Sequence, residues 1–505
     1  MILINPASTG RMGMISRYSI VSLPIGVGTL AGYLLSKGKQ VKIIDELINP
    51  VDRFLSDIDT NLASLNKPYI FGISCLTINI GRAFQMAKLL KAKYPDSKVI
   101  MGGIHATALP EEALTAGNAD IVVRGEGEET LLLLYDAIKS GQSYRDIGGI
   151  SFIENNNIKH NPSRPLQNLD ILPLFPYNLF DADKYNLDFV MTSRGCPFNC
   201  IFCSQRLISG RRYRFRALEV VIEELGILIN KYNQRSISFV DDDFLVDKKR
   251  VKLLCELIVK NKFNLKANFG CQTRADNVKE DILVYLKNAG FTFVGLGIEA
   301  GSERLMKIIQ KGETLRANLE AVKLLKRKGF YVYGFFIFGL PSETSEERLN
   351  AYLLAKRLRL YYAKFNNAVP YPGTYFFEIA KKEGTLNISR NWENFNSVGS
   401  VVDGIFSKSK LPYIPSSTTE RELRRDIVRA NLYFYLTNFS LLFSPKKGNP
   451  GWFLLPPKWY FSPREYYYLI KLILKVILNC IIVFNFKWAV REAFGAFRKS
   501  TGVHS

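Results

Sequence analysis

Short apolar runs alternate with amphipathic stretches through two long portions of this chain, and no other feature constrains the fold as much. In the first portion the runs are "VKIID" (41–45), "YIFGISC" (69–75), "KVIMGG" (98–103) and "DIVVRG" (120–125). Between them lie the helical patterns "GVGTLAGYLLSKG" (26–38) and "IGRAFQMAKLLKAKY" (80–94). Buried parallel strands read as such runs, and strand–helix repetition implies βαβ units. Residues 1–147 are therefore predicted to form an open, doubly wound α/β sheet. The second portion, 187–395, carries "DFVMTS" (188–193), "SISFV" (236–240), "KANFGCQ" (266–272), "FVGLGIE" (293–299), "YVYGFFIFG" (331–339) and "LYYAKFNNAV" (360–369). Helical segments separate most of these runs, which predicts a full or partial βα barrel. The fold class is α/β throughout both portions.

Residues 148–186 bridge the two. "GGISFIENNNIKHNPSRP" reads as a hairpin turning at its asparagines. "LDILPLFPYNLFDADKY" has no period and suits an extended linker. Both sheet types bind ligands beyond the carboxyl ends of their strands. Gly102 and Gly103 follow one predicted strand, and Gly125 and Gly127 the next. Glycine lets backbone approach a bulky ligand with no Cβ between.

Size and charge set outer bounds. A chain of 505 residues has material for several cores. The net charge is +22, with only three histidines, which would suit a polyanionic partner. The basic residues are spread, with clusters such as "SGRRYRFR" (209–216), and no nucleic-acid motif accompanies them. Solvated surface is the first reading, membrane surface the second, and nucleic acid the last. "MILINPASTG" shows neither a basic leader nor a long apolar run, so no secretion signal is expected. Seven cysteines, an odd number, point to the reducing cytoplasm and not to a disulfide framework.

Three of those cysteines, Cys196, Cys200 and Cys203, fall in "SRGCPFNCIFCSQ" (193–205), on the loop expected to leave the first barrel strand. Thiolates are soft ligands suited to zinc or iron–sulfur clusters. A structural zinc site normally closes with four protein ligands, and no second cysteine pair stands nearby. A cubane cluster on three cysteines leaves one iron open, as a catalytic centre requires.

The spacing C-x3-C-x-aromatic-C, with Phe202 as the aromatic, resembles the radical S-adenosylmethionine enzymes. The resemblance implies a 4Fe–4S cluster on Cys196, Cys200 and Cys203, whose open iron chelates S-adenosylmethionine. Reductive cleavage would then give a 5′-deoxyadenosyl radical that removes hydrogen from an unactivated carbon. "FVDDDF" (239–244), "QTRAD" (272–276), "GIEAGSE" (297–303) and "FGLPSE" (338–343) follow strands, where the family's loops line the S-adenosylmethionine pocket. Arg274 and Glu299 are candidates to contact its sugar and carboxylate, with Asp241 and Asp242 behind them. A structural alternative stands for each: Arg274 pairing with Asp276 or Glu299, and the acidic run capping a helix.

The first portion resembles the cobalamin-binding domain fused to many radical enzymes. The resemblance rests on Ser74-x-Leu76 with Thr77, on Gly102–Gly103, and on Gly125-Glu126-Gly127. It makes Ser74, Leu76, Thr77, Gly102, Gly103, Gly125, Glu126 and Gly127 candidates for cobalamin binding. Residues 5–28 hold no histidine, so a base-off cobalamin without a histidine ligand is implied; His105 reads as a polar loop residue. Together the resemblances imply methylation of an unactivated carbon of a hydrophobic small molecule, with an external electron donor such as flavodoxin or ferredoxin. Radical ring formation, as in the anaerobic magnesium-protoporphyrin ester cyclase, is the alternative. A non-enzymatic metal or cobalamin sensor ranks last.

Residues 396–505 are expected to be mainly helical and to face substrate or membrane. "REYYYLIKLILKVILNCIIVFNFKWAVREAFGAFRK" (464–499) suits an interfacial helix first, with Trp488 among its anchors, then a buried core helix, then a bilayer span. Contact with lipid at the inner membrane face would favour an isoprenoid, hopanoid-like or porphyrin-like substrate.

Overall fold

A computed structural model describes residues 1–7, 21–49, 51–397 and 409–436, together with 478, 481–484 and 488. Its first sheet contains β1 (Ile2–Asn5), β2 (Lys42–Asp45), β3 (Ile70–Ser74), β4 (Lys98–Gly102), β5 (Ile121–Val123), β6 (Ile150–Glu154) and β7 (Asn157–His160). The spatial order is β2-β1-β3-β4-β5-β6-β7. The pairings from β2 to β5 are parallel, and β6 and β7 are added antiparallel. Helices Ile25–Ser36 and Glu128–Ser140 cover one face, and helix Ile80–Lys93 covers the other. The hairpin of the bridge thus forms, and it extends the sheet. Its turn puts Asn155 and Asn156 at φ +50° and +61°, a conformation asparagine tolerates and two-residue hairpins require.

The linker that follows lies against helix Ile25–Ser36 through that helix's glycines. A methyl on Gly28 would come within 2.3 Å of the Phe175 ring, and one on Gly32 within 3.0 Å of Pro176. Two glycines inside a helix cost about 1 kcal/mol each against alanine. Here they admit the Phe175 ring and Pro176 more closely than a larger side chain would allow.

The second sheet contains β8 (Phe189–Val190), β11 (Ser236–Phe239), β12 (Asn268–Thr273), β13 (Phe291–Glu299), β14 (Tyr331–Phe338) and β15 (Tyr362–Asn367), all parallel and in that order. A separate antiparallel ribbon pairs β9 (Ser193–Arg194) with β10 (Arg214–Phe215). The barrel is partial, with β8 at one edge and β15 at the other. "DFVMTS" is therefore not one strand: only Phe189 and Val190 pair with β11. The cause is Asp241. Its carboxylate accepts from the Thr192 and Ser193 amides and the Thr192 hydroxyl, each at 2.7 Å, and draws the chain off the sheet.

Two expectations need correction. The cluster "SGRRYRFR" is not simply solvated surface, because Arg214 and Arg216 are buried. Arg214 is paired with Glu126 and Arg216 with Glu224. Trp488 is no membrane anchor either. It is buried, with its ring 5.0 Å from that of Tyr352 and the Arg429 guanidinium 5.1 Å above it. Most of 464–499 lies outside the described residues. Among the described residues no helix is long and apolar enough to cross a membrane. Helix Glu420–Leu436 packs along β15, where Asn431 donates to the Phe365 carbonyl and Tyr435 to that of Ala363, both at 2.8 Å.

Candidate active site

A cleft of about 540 Å³ runs between the two sheets. One wall is built from the carboxyl ends of the first sheet, with Asn5, Ser74, Leu76, Gly102, Gly103, Gly125, Glu126 and Gly127. The other is built from the ribbon and the cysteine loop's neighbours, with Ser193, Arg194, Gln205, Ser209 and Asp242. Seven of the eight residues nominated for cobalamin therefore share one wall. The eighth, Thr77, is buried away from it, its hydroxyl 3.2 Å from His105 Nδ1. The glycines do distinct things. Gly103 has φ +99°, and a Cβ there would meet the Cys75 carbonyl oxygen at 2.9 Å. Gly125 has φ +76°, and a Cβ there would meet nothing within 4 Å. The wall is thus close-packed behind Gly103 and open in front of Gly125, as a cradle for a bulky ligand must be.

Glu126 ties the walls together. Its carboxylate accepts from both terminal nitrogens of Arg214 at 2.8 and 2.9 Å, from Arg194 at 3.2 Å and from the Gln167 amide at 3.0 Å. Burial works to raise its pKa, but these donors hold it below the ordinary carboxylate range. Arg194 also reaches Glu128 at 2.6 Å. Neither Arg194 nor Arg214 was nominated from the sequence. Their signal is weak, since a buried arginine looks like a surface one until its partner is known.

The cysteine loop begins two residues after Arg194. Cys196, Cys200 and Cys203 are half-exposed, whereas Cys75, Cys255 and Cys271 are buried. The chain therefore offers three reachable thiols on one loop and buries its other described ones. Burial, the main cause, pushes the free Cys196 and Cys200 thiols up to about 11. Such thiols stay protonated until a metal displaces the proton. Among the described residues no group of His, Cys, Asp or Glu closes around a single ion. The loop is pinned where the Ile201 amide donates to Ile309 and its carbonyl accepts from Phe376. Phe202 packs beside them against the same small core.

A buried charge cluster faces the loop. Arg274 lies flat on the Phe198 ring, 3.5 Å from its centroid. It donates to Asp276 at 2.7 and 3.0 Å and to the Lys311 carbonyl at 2.6 Å. Lys311 in turn holds Glu299 at 2.9 Å and Glu313 at 3.4 Å, and its charge acts on Cys200 together with those of Glu299 and Arg274. Glu299 sits at φ +64°, after a register shift at the end of β13. The structure thus brings Arg274 and Glu299 to the cysteine loop, with Arg274 already paired to Asp276. Lys311, Glu313 and Phe198 were missed because nothing in their local sequence marks them.

The acidic run divides. Asp241 is fully engaged with Thr192 and Ser193. Asp242 faces the cleft and accepts from the Gly195 amide at 3.1 Å; burial raises it to about 6. Asp243 accepts from Thr273 at 2.6 Å and Asn277 at 2.8 Å. None of the three caps the next helix; Asp247 does that. Both described histidines are occupied. His105 lies between Thr77 and Glu112, each at 3.2 Å, and His160 between Ser151 at 2.8 Å and Glu111 at 3.1 Å.

Comparison with known proteins agrees with this division. Residues 14–134 match the B12 binding domain, and residues 190–355 match the radical SAM superfamily. An uncharacterized methyltransferase of Pyrococcus horikoshii is 37% identical over 420 residues, covering 82% of this chain and 88% of the relative. The anaerobic magnesium-protoporphyrin IX monomethyl ester cyclase of Rubrivivax gelatinosus is 29% identical over 392 residues, 74% of this chain and 69% of that one. Among solved structures, the cobalamin-dependent S-adenosylmethionine radical enzyme OxsB with aqua-cobalamin bound superposes with a TM-score of 0.70 at 19% identity. That match covers 95% of this chain and 72% of OxsB and speaks to the fold alone.

Proposed function

We infer the reaction from one premise: the chain belongs to the radical S-adenosylmethionine enzymes that carry an N-terminal cobalamin-binding domain. We propose that it methylates an unactivated carbon of a hydrophobic small molecule. One observation carries this reading: the glycine wall of the first sheet and the neighbours of the cysteine loop face each other across a single cleft. A methyl donor held by one domain would stand beside the radical chemistry of the other, and such a transfer needs reacting atoms held within a few ångströms.

In this reading Cys196, Cys200 and Cys203 would hold the 4Fe–4S cluster. Phe202, Arg274, Glu299 and Asp242 would line the S-adenosylmethionine pocket, with Asp241 shaping its edge through Thr192 and Ser193. Arg274, stacked on Phe198, positions the loop. Lys311 places a buried positive charge beside Cys200, which offsets the charge of thiolate ligands. Ser74, Leu76 and the backbone at Gly102–Gly103 and Gly125–Gly127 would cradle cobalamin, and Thr77 would support that wall from behind. A base-off cobalamin without a histidine ligand is part of this proposal; His105 and His160 are each hydrogen-bonded to neighbouring side chains. When bound, the cluster would supply the electron that cleaves S-adenosylmethionine, and cobalamin the transferable methyl group.

Anaerobic reconstitution with a reductant and S-adenosylmethionine tests the proposal. Formation of both 5′-deoxyadenosine and S-adenosylhomocysteine supports methyl transfer. 5′-Deoxyadenosine alone would replace it with ring formation, the reaction class named for the cyclase relative. Neither product would remove the enzymatic reading.

A further inference from the structure

We propose that the concave face of the barrel sheet recognises an anionic group on the substrate through Lys364, beside an aromatic wall that takes the apolar body of the molecule. The inference rests on the proposed methylation of a hydrophobic small molecule and places that molecule inside the partial barrel. It adds a charge to what the sequence alone presents as a purely hydrophobic ligand.

On β15 the side chains alternate. Ala363 and Phe365 are wholly buried toward the outer helices, where Phe365 stacks on Phe336 with ring centroids 4.8 Å apart. Strand geometry turns Tyr362, Lys364 and Asn366 to the opposite face, inside the partial barrel. Lys364 stands directly across from Phe335, and Phe335 from Gly297. The Phe335 ring lies over the bare backbone of β13, so that a Cβ on Gly295 would meet it at 3.1 Å. Tyr333 continues this wall, stacked on Phe293 at 5.1 Å.

Within that setting Lys364 is only half-exposed and has no carboxylate, carbonyl or ring partner among the described residues. Burial alone pulls its ammonium below the usual lysine range, with no counter-charge to restore it. Glu299, two strands across the same sheet, is committed to Lys311. Two residues further along the same face, the side-chain carbonyl of Asn366 is buried and has no partner among the described residues. A half-buried cation is costly unless a counter-ion completes it, and the Asn366 carbonyl needs a donor elsewhere on the same ligand. A carboxylate or a phosphate would satisfy Lys364, which binds as a point charge and does not choose between them.

Three probes with one naphthalene body separate the possibilities: 2-naphthoate, 2-naphthyl phosphate and neutral 2-naphthamide. Their binding to the reconstituted full chain is followed by fluorescence. The expected result is that the wild type binds at least one anion about tenfold or more tighter than the amide. Lys364→Met should erase that preference while leaving amide binding unchanged, and Lys364→Arg should retain it. The preferred anion names the source of the charge. An equal preference in the Lys364→Met variant, or none in the wild type, would overturn the proposal. Because the readout is a ratio between probes, it stands apart from product analysis: missing S-adenosylhomocysteine would sink the methyltransferase reading and leave this one intact.

Discussion

The two sheets of this chain meet their surroundings differently. The central parallel strands of the first are covered on both faces, and "ILIN" and "IVV" are buried at every position. Strands of the second are covered on one face only, and "YVYGFFIF" starts at an exposed Tyr331 and then alternates between buried and half-exposed. The first sheet can therefore meet a ligand only at its strand ends, where Gly102, Gly103 and Gly125 open the wall. The second can meet one along its concave face. The helices differ in the same sense. Those starting after Pro24, Asn79 and Gly127 carry no side-chain cap, whereas those starting after Asp247, Thr314, Thr344 and Thr374 are capped by those residues. Most, though not all, barrel helices secure their own ends: those after Ala217 and Lys279 also lack a side-chain cap.

The sharpest break between the regions is chemical. Replacing Cys196, Cys200 or Cys203 by alanine should abolish 5′-deoxyadenosine formation and lower bound iron. The melting temperature of the apo chain should hardly move, because these thiols are half-exposed; iron assay and thermal melting read the two effects. Next comes the contrast between the faces of the barrel sheet. Phe365→Ala should cost about 4 kcal/mol in urea denaturation, as a large-to-small change in a closed core does. Phe335→Ala, on the concave face, should cost about 1 kcal/mol, the typical figure for a point substitution outside such a core.

The junction should respond nearly as strongly as the core. Glu126→Gln strips a buried pair and leaves Arg214 uncompensated, at a cost of about 3 kcal/mol at neutral pH. The folded carboxyl titrates below its ordinary value, so its stabilisation is complete above about 4.5 and is lost as pH falls through the lower folded value. Denaturation of wild type and variant should accordingly converge on moving from pH 7 into the acid range. Within the first domain, Gly103→Ala forces a methyl against the Cys75 carbonyl at a positive φ and should cost about 2 kcal/mol. Gly125→Ala meets only open space and should cost about 1 kcal/mol. It should nonetheless weaken cobalamin retention, measured by absorbance after gel filtration. Smallest of all, Thr344→Ala removes one cap of a barrel helix and should lower stability by about 1 kcal/mol.

Much of this organisation was legible along the chain, and the failures have local causes. The parallel strands were visible because burial on both faces, or on one, leaves a run or an alternation in the residues themselves. β1 was overlooked because four residues at a chain end carry too little pattern to stand out. "DFVMTS" was read as one strand because its composition suits one; the carboxylate that breaks it, Asp241, lies far along the chain. Arg214 and Arg216 were counted as surface because charge in a sequence says nothing of the acid that waits for it.

By itself the sequence determined the two α/β units, their order, the loop that carries three thiols and the glycines at the strand ends. These are properties of neighbours along the chain, set by hydrophobic period, spacing and the absence of a Cβ. The tertiary structure decided that the strand ends of the first sheet and the neighbours of the cysteine loop line one cleft, that Glu126 locks them through Arg194 and Arg214, and that Lys311 and Arg274 converge on the cysteine loop. It also decided that Lys364 stands on an aromatic face with no partner among the described residues. Each of these depends on charges and rings far apart in the chain coming together, and pairing of that kind is written in the packing and in no local stretch of residues.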